Sequence, residues 1–245
     1  MDNSIYIALS RQQTLFRDME ATANNIANAN TPGYQAEKIM FTDYLSNDGN
    51  RRKIAFAQDI SSYRDTSTGP MKATGAAFDV AIMGPGMIPI ETAGGQRYTR
   101  SGNFQLSNDG TLVTATGQPV LGPDGQRIAL EPTDKDVKIG ENGLITVRGI
   151  GGEIEERGQI GLVEFADPQA MTQIGDQMFE TAQLPQEPVE SRMLQGTLEM
   201  SNVSPVKELV RVTELSRSTS STAKFIEVMY DLQRKTASTY AQPSQ

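Results

Sequence analysis

Ile5, Leu9, Gln12, Phe16, Met19, Ala23 and Ile26 follow one another at intervals of 4, 3, 4, 3, 4 and 3. Such alternation is the a/d seam of a heptad pattern, with Gln12 its one polar member, and it predicts a long N-terminal helix. A second stretch of this kind closes the chain. Ser204-Pro205 reads as an N-cap followed by proline in the first helical position. Leu209, Val212, Ser216, Thr219, Ala223, Ile226, Tyr230, Gln233, Ala237 and Tyr240 then keep a 3-4 spacing, with neither Pro nor Gly before Pro243. This seam is weaker, because Arg217-Ser218-Thr219-Ser220-Ser221-Thr222 supplies only small polar side chains between Arg217 and Ala223. The plain alternative is two amphipathic helices packed on an ordinary globular core.

Between the two helices the pattern changes. From 71 to 190 short apolar runs are separated by turn signals at Asn108-Asp109-Gly110, Pro123-Asp124-Gly125, Asn142-Gly143 and Gly151-Gly152, each suited to a tight hairpin. Thr111-Leu112-Val113-Thr114, Leu144-Ile145-Thr146-Val147 and Gln159-Ile160-Gly161-Leu162-Val163-Glu164-Phe165 are the expected strands. Close turns and no βαβ alternation predict an antiparallel sandwich or barrel-like domain. The polar stretch 35–70, with its basic cluster Arg51-Arg52-Lys53, reads as an irregular arm of loops and short strands. The expected organisation is therefore α+β and multidomain: an N-terminal association helix and signature over 1–34, the arm over 35–70, a central antiparallel β-rich domain over 71–190, and a C-terminal association segment and helix over 191–245. The two end helices are expected to form a coiled-coil association domain.

The N-terminal helix ends in an unusual run, Ala23-Asn24-Asn25-Ile26-Ala27-Asn28-Ala29-Asn30-Thr31-Pro32-Gly33-Tyr34. Asparagine is a poorer helix former than alanine because its amide competes for backbone hydrogen bonds. Four of them in the last turns mark either a frayed helix stop or amides bonded to partners outside the helix.

Charge sharpens the division. The net charge is −8; residues 1–30 carry −1, 204–245 carry +2, and the stretch between carries −9. An acidic body with nearly neutral ends argues against nucleic acid, which needs a basic face. The start of the chain lacks a basic n-region followed by an apolar stretch, so no cleavable secretory signal is expected. The longest nearly apolar run, 80–90, is broken by Gly84, Pro85, Gly86 and Pro89 and is too short to insert in a membrane. The chain has no His and no Cys, which removes His-based acid/base catalysis, thiol nucleophiles and the usual zinc ligand sets. Gly149-Ile150-Gly151-Gly152 lacks the third glycine of a dinucleotide fingerprint. No cofactor or catalytic residue is expected, although a two-carboxylate hydrolase stays formally open.

Three segments carry a resemblance. Ala23-Asn24-Asn25-Ile26-Ala27-Asn28, with Thr31, Gly33 and Tyr34, is the first. Tyr98-Thr99-Arg100-Ser101-Gly102-Asn103-Phe104 is the second, followed by Asn108-Asp109-Gly110 and Leu112-Val113. Gln195-Gly196, Leu198-Glu199, Ser201-Asn202-Val203 and Pro205-Val206 form the third. In combination these resemble the flagellar rod and hook family of bacterial axial proteins across essentially the whole chain. The chain departs from the family pattern at Gly84-Pro85-Gly86-Met87-Ile88, where an aromatic pair is usual, and at Gln35, where Lys is common.

The resemblance implies a structural subunit of the basal-body rod, not an enzyme. The opening Met1-Asp2-Asn3-Ser4-Ile5-Tyr6 and Leu9-Ser10-Arg11-Gln12 point to the proximal rod. A distal-rod or hook subunit is the alternative, and a transient assembly scaffold the less favoured one. It also implies terminal helices that pack against copies of the chain and other rod proteins, and passage through the flagellar type III export apparatus to the periplasm-spanning rod. Ends with an uncovered seam are expected to be disordered alone and to fold on binding. The assembly residues expected from the seams and signatures together are Ile5, Leu9, Gln12, Phe16, Met19, Ala23, Asn24, Asn25, Ile26, Asn28, Thr31, Gly33, Gly196, Leu198, Glu199, Ser201, Asn202, Val203, Leu209, Val212, Ile226 and Tyr230.

Overall fold

A computed structural model describes residues 2–48, 52–131, 133–149 and 151–241. The fold is α+β, with an N-terminal helix, a C-terminal helix and a β-rich region between them. The chain divides into two compact units, one made of 1–27, 37–64 and 204–245, the other of 28–36 and 65–203.

The first unit contains helix α1 (Asp2–Ala27), a hairpin of strands β1 (Glu37–Asp48) and β2 (Arg52–Arg64), and helix α2 (Pro205–Ala241). At ~1.5 Å per residue α1 spans about 39 Å and α2 about 56 Å. The two helices run antiparallel. Arg211 of α2 pairs with Asp18 of α1 at 3.0 Å, while Ala8 shares a groove with Thr222. The stretch 35–70, expected as irregular, instead holds one long antiparallel ladder, Glu37 opposite Arg64 through Asp48 opposite Arg52, with a bulge between Met40 and Phe41. Charged and apolar residues are mixed along these strands, and a two-stranded ribbon needs no strict alternation because it encloses no core of its own.

The helices, expected to be disordered in isolation, pair within one chain, and they do so along a seam different from the expected one. On α1 positions 5, 8, 12, 15, 19, 22 and 26 are buried or half-buried, whereas Leu9, Phe16 and Ala23 are exposed. On α2 positions 208, 212, 215, 219, 222, 226, 229 and 233 are covered, whereas Leu209, Ser216, Ala223 and Tyr230 are exposed. Alternate members of each expected seam therefore hold their place, and the others yield to a neighbour one residue earlier. Small side chains fall among the covered positions. Ala8, Thr22 and Thr222 are buried, and the hydroxyls are satisfied on their own helix, Thr22 on the Asp18 carbonyl at 2.7 Å and Thr222 on that of Ser218 at 2.9 Å.

The second unit is built from short antiparallel pairs. Ile88–Thr92, Gly95–Thr99, Met178–Glu180 and Thr172–Gln173 form one sheet in that spatial order, and Lys135–Ile139, Leu144–Arg148 and Ile154–Gln159 form another. Phe104–Leu106 pairs with Leu112–Thr114. The end of the unit returns to its beginning: Arg192–Gln195 pairs with Val80–Met83, and Thr197–Glu199 with Met71–Ala73. The four expected turns form, with Gly110, Gly125, Gly143 and Gly152 all at positive φ. The expected strand 159–165 is not continuous. It is strand at Gln159, and its later residues join separate neighbours, Gly161 donating to the Leu121 carbonyl and Val163 to that of Met87.

An aliphatic core including Val80, Ile82, Ile88, Leu112, Ile145 and Ile160 fills this unit, and Met87, Tyr98, Phe165, Met171 and Phe179 make a second cluster. Tyr98 meets Phe165 edge to face, with ring centroids 4.7 Å apart. Glu164 anchors the segment that leads into the strand Arg192–Gln195: its Oε1 accepts the N–H groups of Val189, Glu190 and Ser191 at 3.1, 3.1 and 2.9 Å. Burial pushes this carboxyl up, but the hydrogen bonds from Ser191, Glu190 and Val189 outweigh it and hold it below the ordinary carboxylate range.

Two outcomes follow for the β unit. Ile145→Ala, at a side chain with no exposure, lowers its stability by about 2–5 kcal/mol in a denaturant melt. Because the Glu164 carboxyl titrates lower when folded than when unfolded, its stabilisation is full above ~pH 4.3 and is lost as pH falls through the folded value. Glu164→Gln is therefore expected to lower the melting temperature of this unit at pH 7, with the difference from wild type shrinking as the pH is taken below about 4.

Candidate assembly interface

The three signature segments meet inside the second unit. At their centre Arg100 and Glu199 form an ion pair, Nε to Oε2 at 2.7 Å, with each side chain only 3% exposed. The remaining donors of Arg100 go to backbone carbonyls: Nη1 to Gly84 at 2.6 Å and Gly86 at 2.7 Å, and Nη2 to Ile82 at 3.0 Å. Glu199 accepts the Gly69 N–H on Oε1 at 3.1 Å. A buried ion pair is tolerable only when its other hydrogen-bonding positions are filled in this way. The Gly84-Pro85-Gly86 turn thus supplies carbonyls to the arginine, and the departure from the family pattern, Met87-Ile88 in place of an aromatic pair, follows directly after it.

The N-terminal signature is fastened to the same place. Gly33 donates its N–H to the Glu199 carbonyl at 2.8 Å, at a φ of +72°. A Cβ there would lie 2.6 Å from the Ser101 nitrogen and 2.8 Å from the Arg100 carbonyl oxygen, so both conformation and space require glycine. Gly102 is equally constrained, because a Cβ would collide with the Val80 carbonyl. Asn202 completes the fastening: its Oδ1 accepts the Ala36 N–H at 2.8 Å, and its Nδ2 donates to the Asp65 and Ser67 carbonyls at 2.7 and 3.0 Å. Tyr34, Ala36 and Val203 pack together beside it, with Ala29 against them. We refer to this arrangement as the clasp.

Several expected assembly residues therefore face the interior of the chain. Gly33, Leu198, Glu199, Ser201 and Val203 are buried in the second unit. Gly196 is half-buried, its carbonyl accepting the N–H groups of Thr74 and Gly75 at 2.8 and 3.0 Å. Asn28 and Thr31 make a local turn, with the Thr31 N–H on the Asn28 carbonyl at 3.1 Å. Two residues quoted in the signatures but absent from the expected set are central here: Arg100, and Gln195, whose amide bonds the backbone of Ile139, Ala77 and Val137. Their place in the motifs was the only signal available in the sequence.

In the first unit Asn25 is buried and uses both ends of its amide on one residue, accepting the Glu37 N–H at 2.9 Å and donating to the Glu37 carbonyl at 2.8 Å. It thus joins the end of α1 to the start of β1, as an amide bonded outside its own helix but within the chain. Ile5 is buried, and Gln12, Met19, Ile26, Val212 and Ile226 are half-buried, whereas Leu9, Phe16, Ala23, Asn24, Leu209 and Tyr230 are exposed. Leu9 and Phe16, at 42% and 47% exposure, lie one heptad apart on one face of α1, and Tyr6 extends the row. Among the described residues no group of three or more His, Cys, Asp or Glu could hold a metal, and no helix is long and apolar enough to cross a membrane.

Comparison with known proteins matches this organisation. The family model described as flagella basal body rod protein matches residues 5–35, that of the flagellar hook protein FlgE/F/G D1 domain matches 81–147, and that of the flagellar basal body rod FlgEFG protein C-terminal matches 194–239. Each matched segment contributes to the clasp. Among relatives, the flagellar basal-body rod protein FlgF of Caulobacter vibrioides is 37% identical over 241 residues, 96% of either chain. FlgF of Mesorhizobium japonicum is 34% identical over 97% of this chain and 95% of its own. The flagellar basal-body rod protein FlgG of Bacillus subtilis is 31% identical over 92% and 94%.

Asn25→Ala removes both partners of the Glu37 backbone. Leaving one such group unsatisfied costs about 1–3 kcal/mol, so the Glu37 amide is expected to exchange with solvent roughly 5- to 150-fold faster. Hydrogen exchange resolved at that residue checks it, with the Ile145 amide as the unaffected reference.

Proposed function

Because the chain belongs to the flagellar basal-body rod protein family, we propose that it is a subunit of the proximal rod, polymerising through its terminal helices with copies of itself and with other rod proteins. The chain is a structural component of the basal-body rod. The proximal position is supported by its likeness to proteins named FlgF and by its opening residues 1–12. The structural, non-enzymatic role is supported by the descriptions of the matching families and by a sequence without His or Cys. Export by the flagellar type III apparatus is the route that membership of this family supports.

One observation carries the mode of assembly. The side chains that give the end helices their heptad pattern, Leu9 and Phe16 on α1 and Leu209 and Tyr230 on α2, are left exposed after the helices have paired within the chain. Val206, Val210, Phe225, Val228 and Leu232 are exposed on α2 as well. A soluble monomer gains nothing from such rows, whereas a neighbour that covers them gains ~1.5–3 kcal/mol for each large apolar side chain fully removed from water. In this reading α1 and α2 use one seam inside the subunit and the adjacent, exposed one in coiled-coil contact between subunits. Contacts of this heterologous kind build open helical tubes when the rotation does not close.

The experiment is incorporation into purified basal bodies beside thermal melting of the isolated chain. Phe16→Asp falls on an exposed side chain, so its effect on the monomer is expected within about ±0.5 kcal/mol. In an assembled contact it would bury an unpaired carboxylate, and incorporation is expected to fail. Glu153→Lys, on the exposed surface of the β unit, is expected to assemble as wild type. Normal incorporation of Phe16→Asp would show that the row faces no partner.

A further inference from the structure

The Arg100–Glu199 pair makes more bonds than the β core requires. Its carbonyl partners at Ile82, Gly84 and Gly86 belong to the core, but the Gly69 N–H on the Glu199 carboxylate and the Gly33 N–H on the Glu199 carbonyl belong to chain segments outside it. Gly33 lies six residues past the end of α1, and Glu199 lies six residues before the start of α2. The pair therefore bonds the segment through which the chain leaves the first helix to the segment through which it enters the last. Asn202 repeats the connection from the other side, joining Ala36 to Asp65 and Ser67.

We infer that Arg100 and Glu199 are positioning residues for polymerisation: the clasp they close sets where the two association helices leave the β unit. The inference rests on the rod reading and deepens it. The β core does not need the clasp for its own packing. Its aliphatic cluster is drawn from residues between 80 and 193, and residues 28–36 and 65–70 contribute nothing to it. A polymer made by packing of both end helices does need it, since the segment that follows α1 and the segment that precedes α2 are held together in the β unit by these bonds. Placing a charged pair at such a joint has a physical advantage. Buried and saturated with hydrogen bonds, it is shielded from the salt screening that weakens an exposed pair, and Arg supplies directed donors to four acceptors at once.

The bonds rank the substitutions. Glu199→Gln keeps one acceptor oxygen for either the Gly69 N–H or the Arg100 guanidinium, turns an NH2 donor toward the other and removes the counter-charge, while the backbone bond to Gly33 is untouched. Glu199→Ala leaves the Arg100 charge buried without its counter-ion. Arg100→Lys cannot reach four acceptors from one ammonium. Gly33→Ala opens the clasp from the opposite side without altering the ion pair, so it remains informative should Glu199→Ala fail to fold.

The test uses the full chain, with hydrogen exchange of the monomer and incorporation into basal bodies measured for each variant. For Glu199→Ala and Gly33→Ala, exchange across 28–36 and 65–70 is expected to rise at least 10-fold. Exchange at Leu112 and Ile145 is expected to stay within 2-fold of wild type, and incorporation is expected to be lost. Glu199→Gln, which keeps one of the two acceptors, is expected to fall between wild type and Glu199→Ala in incorporation, and Arg100→Lys to behave as Glu199→Ala. A role confined to the β core would instead speed exchange at Ile145 in step with the clasp. Gly33→Ala that exchanges faster at 28–36 yet assembles normally overturns the inference while leaving the rod reading intact. Unchanged exchange at 28–36 in Gly33→Ala overturns it as well. Wild-type chain absent from basal bodies defeats the rod reading itself.

Discussion

A single buried arginine organises the part of the chain that distinguishes this protein from an ordinary β domain. Arg100 meets Glu199 and three carbonyls in a site where it is almost free of water. Because a guanidinium cannot shed its charge, the surrounding backbone has to turn its carbonyls inward, and the 82–86 segment does so. Glu199 in turn fixes 69 through its side chain and 33 through its backbone. The glycines of the signatures follow from this crowding. Gly33 and Gly102 stand where the backbone of another segment passes too close for a Cβ. Each of the three motifs thus gives residues to this one joint, Gly33, Arg100, Glu199 and Asn202, while others serve elsewhere, as Asn25 does on Glu37 and Leu112 in the aliphatic core.

The helices obey a different constraint. Two faces of each must be served, one turned to the partner helix in the same chain and one left for something else. The intrachain face uses Ile5, Ala8, Met19, Thr22, Ile26, Leu215, Thr222 and Ile226, with the threonine hydroxyls satisfied locally. Leu9, Phe16, Leu209 and Tyr230 lie exposed beside it. This division lets the helices pair within the chain while Leu9, Phe16, Leu209 and Tyr230 stay uncovered.

The sequence made the broad plan legible. Heptad spacing located both helices, Ser204-Pro205 marked the start of α2, and Asn-Asp-Gly, Pro-Asp-Gly and Asn-Gly located the hairpin turns. What it could not show was which of two adjacent stripes closes inside the chain, because periodicity reports an apolar face and not what covers it. The long hairpin was missed because its strands carry no consistent alternation, and two paired strands have no core to impose one. The clasp was missed as a structure although all three of its segments had been singled out. Arg100 and Glu199 are 99 residues apart, and nothing in local composition tells a buried arginine from a solvated one. The Asn run gave an intermediate result. Asn25 does bond outside its helix, to Glu37, but inside the chain.

The central claim is that the apolar row exposed on the paired helices is the polymer contact. A density map of the assembled rod that resolves side chains of this chain tests it most directly. The account predicts that Leu9 and Phe16 are covered by a neighbouring copy or another rod protein, with α1 and α2 still paired within the subunit through Ala8 and Thr222. Leu9 and Phe16 facing solvent or the open lumen of the tube would contradict it.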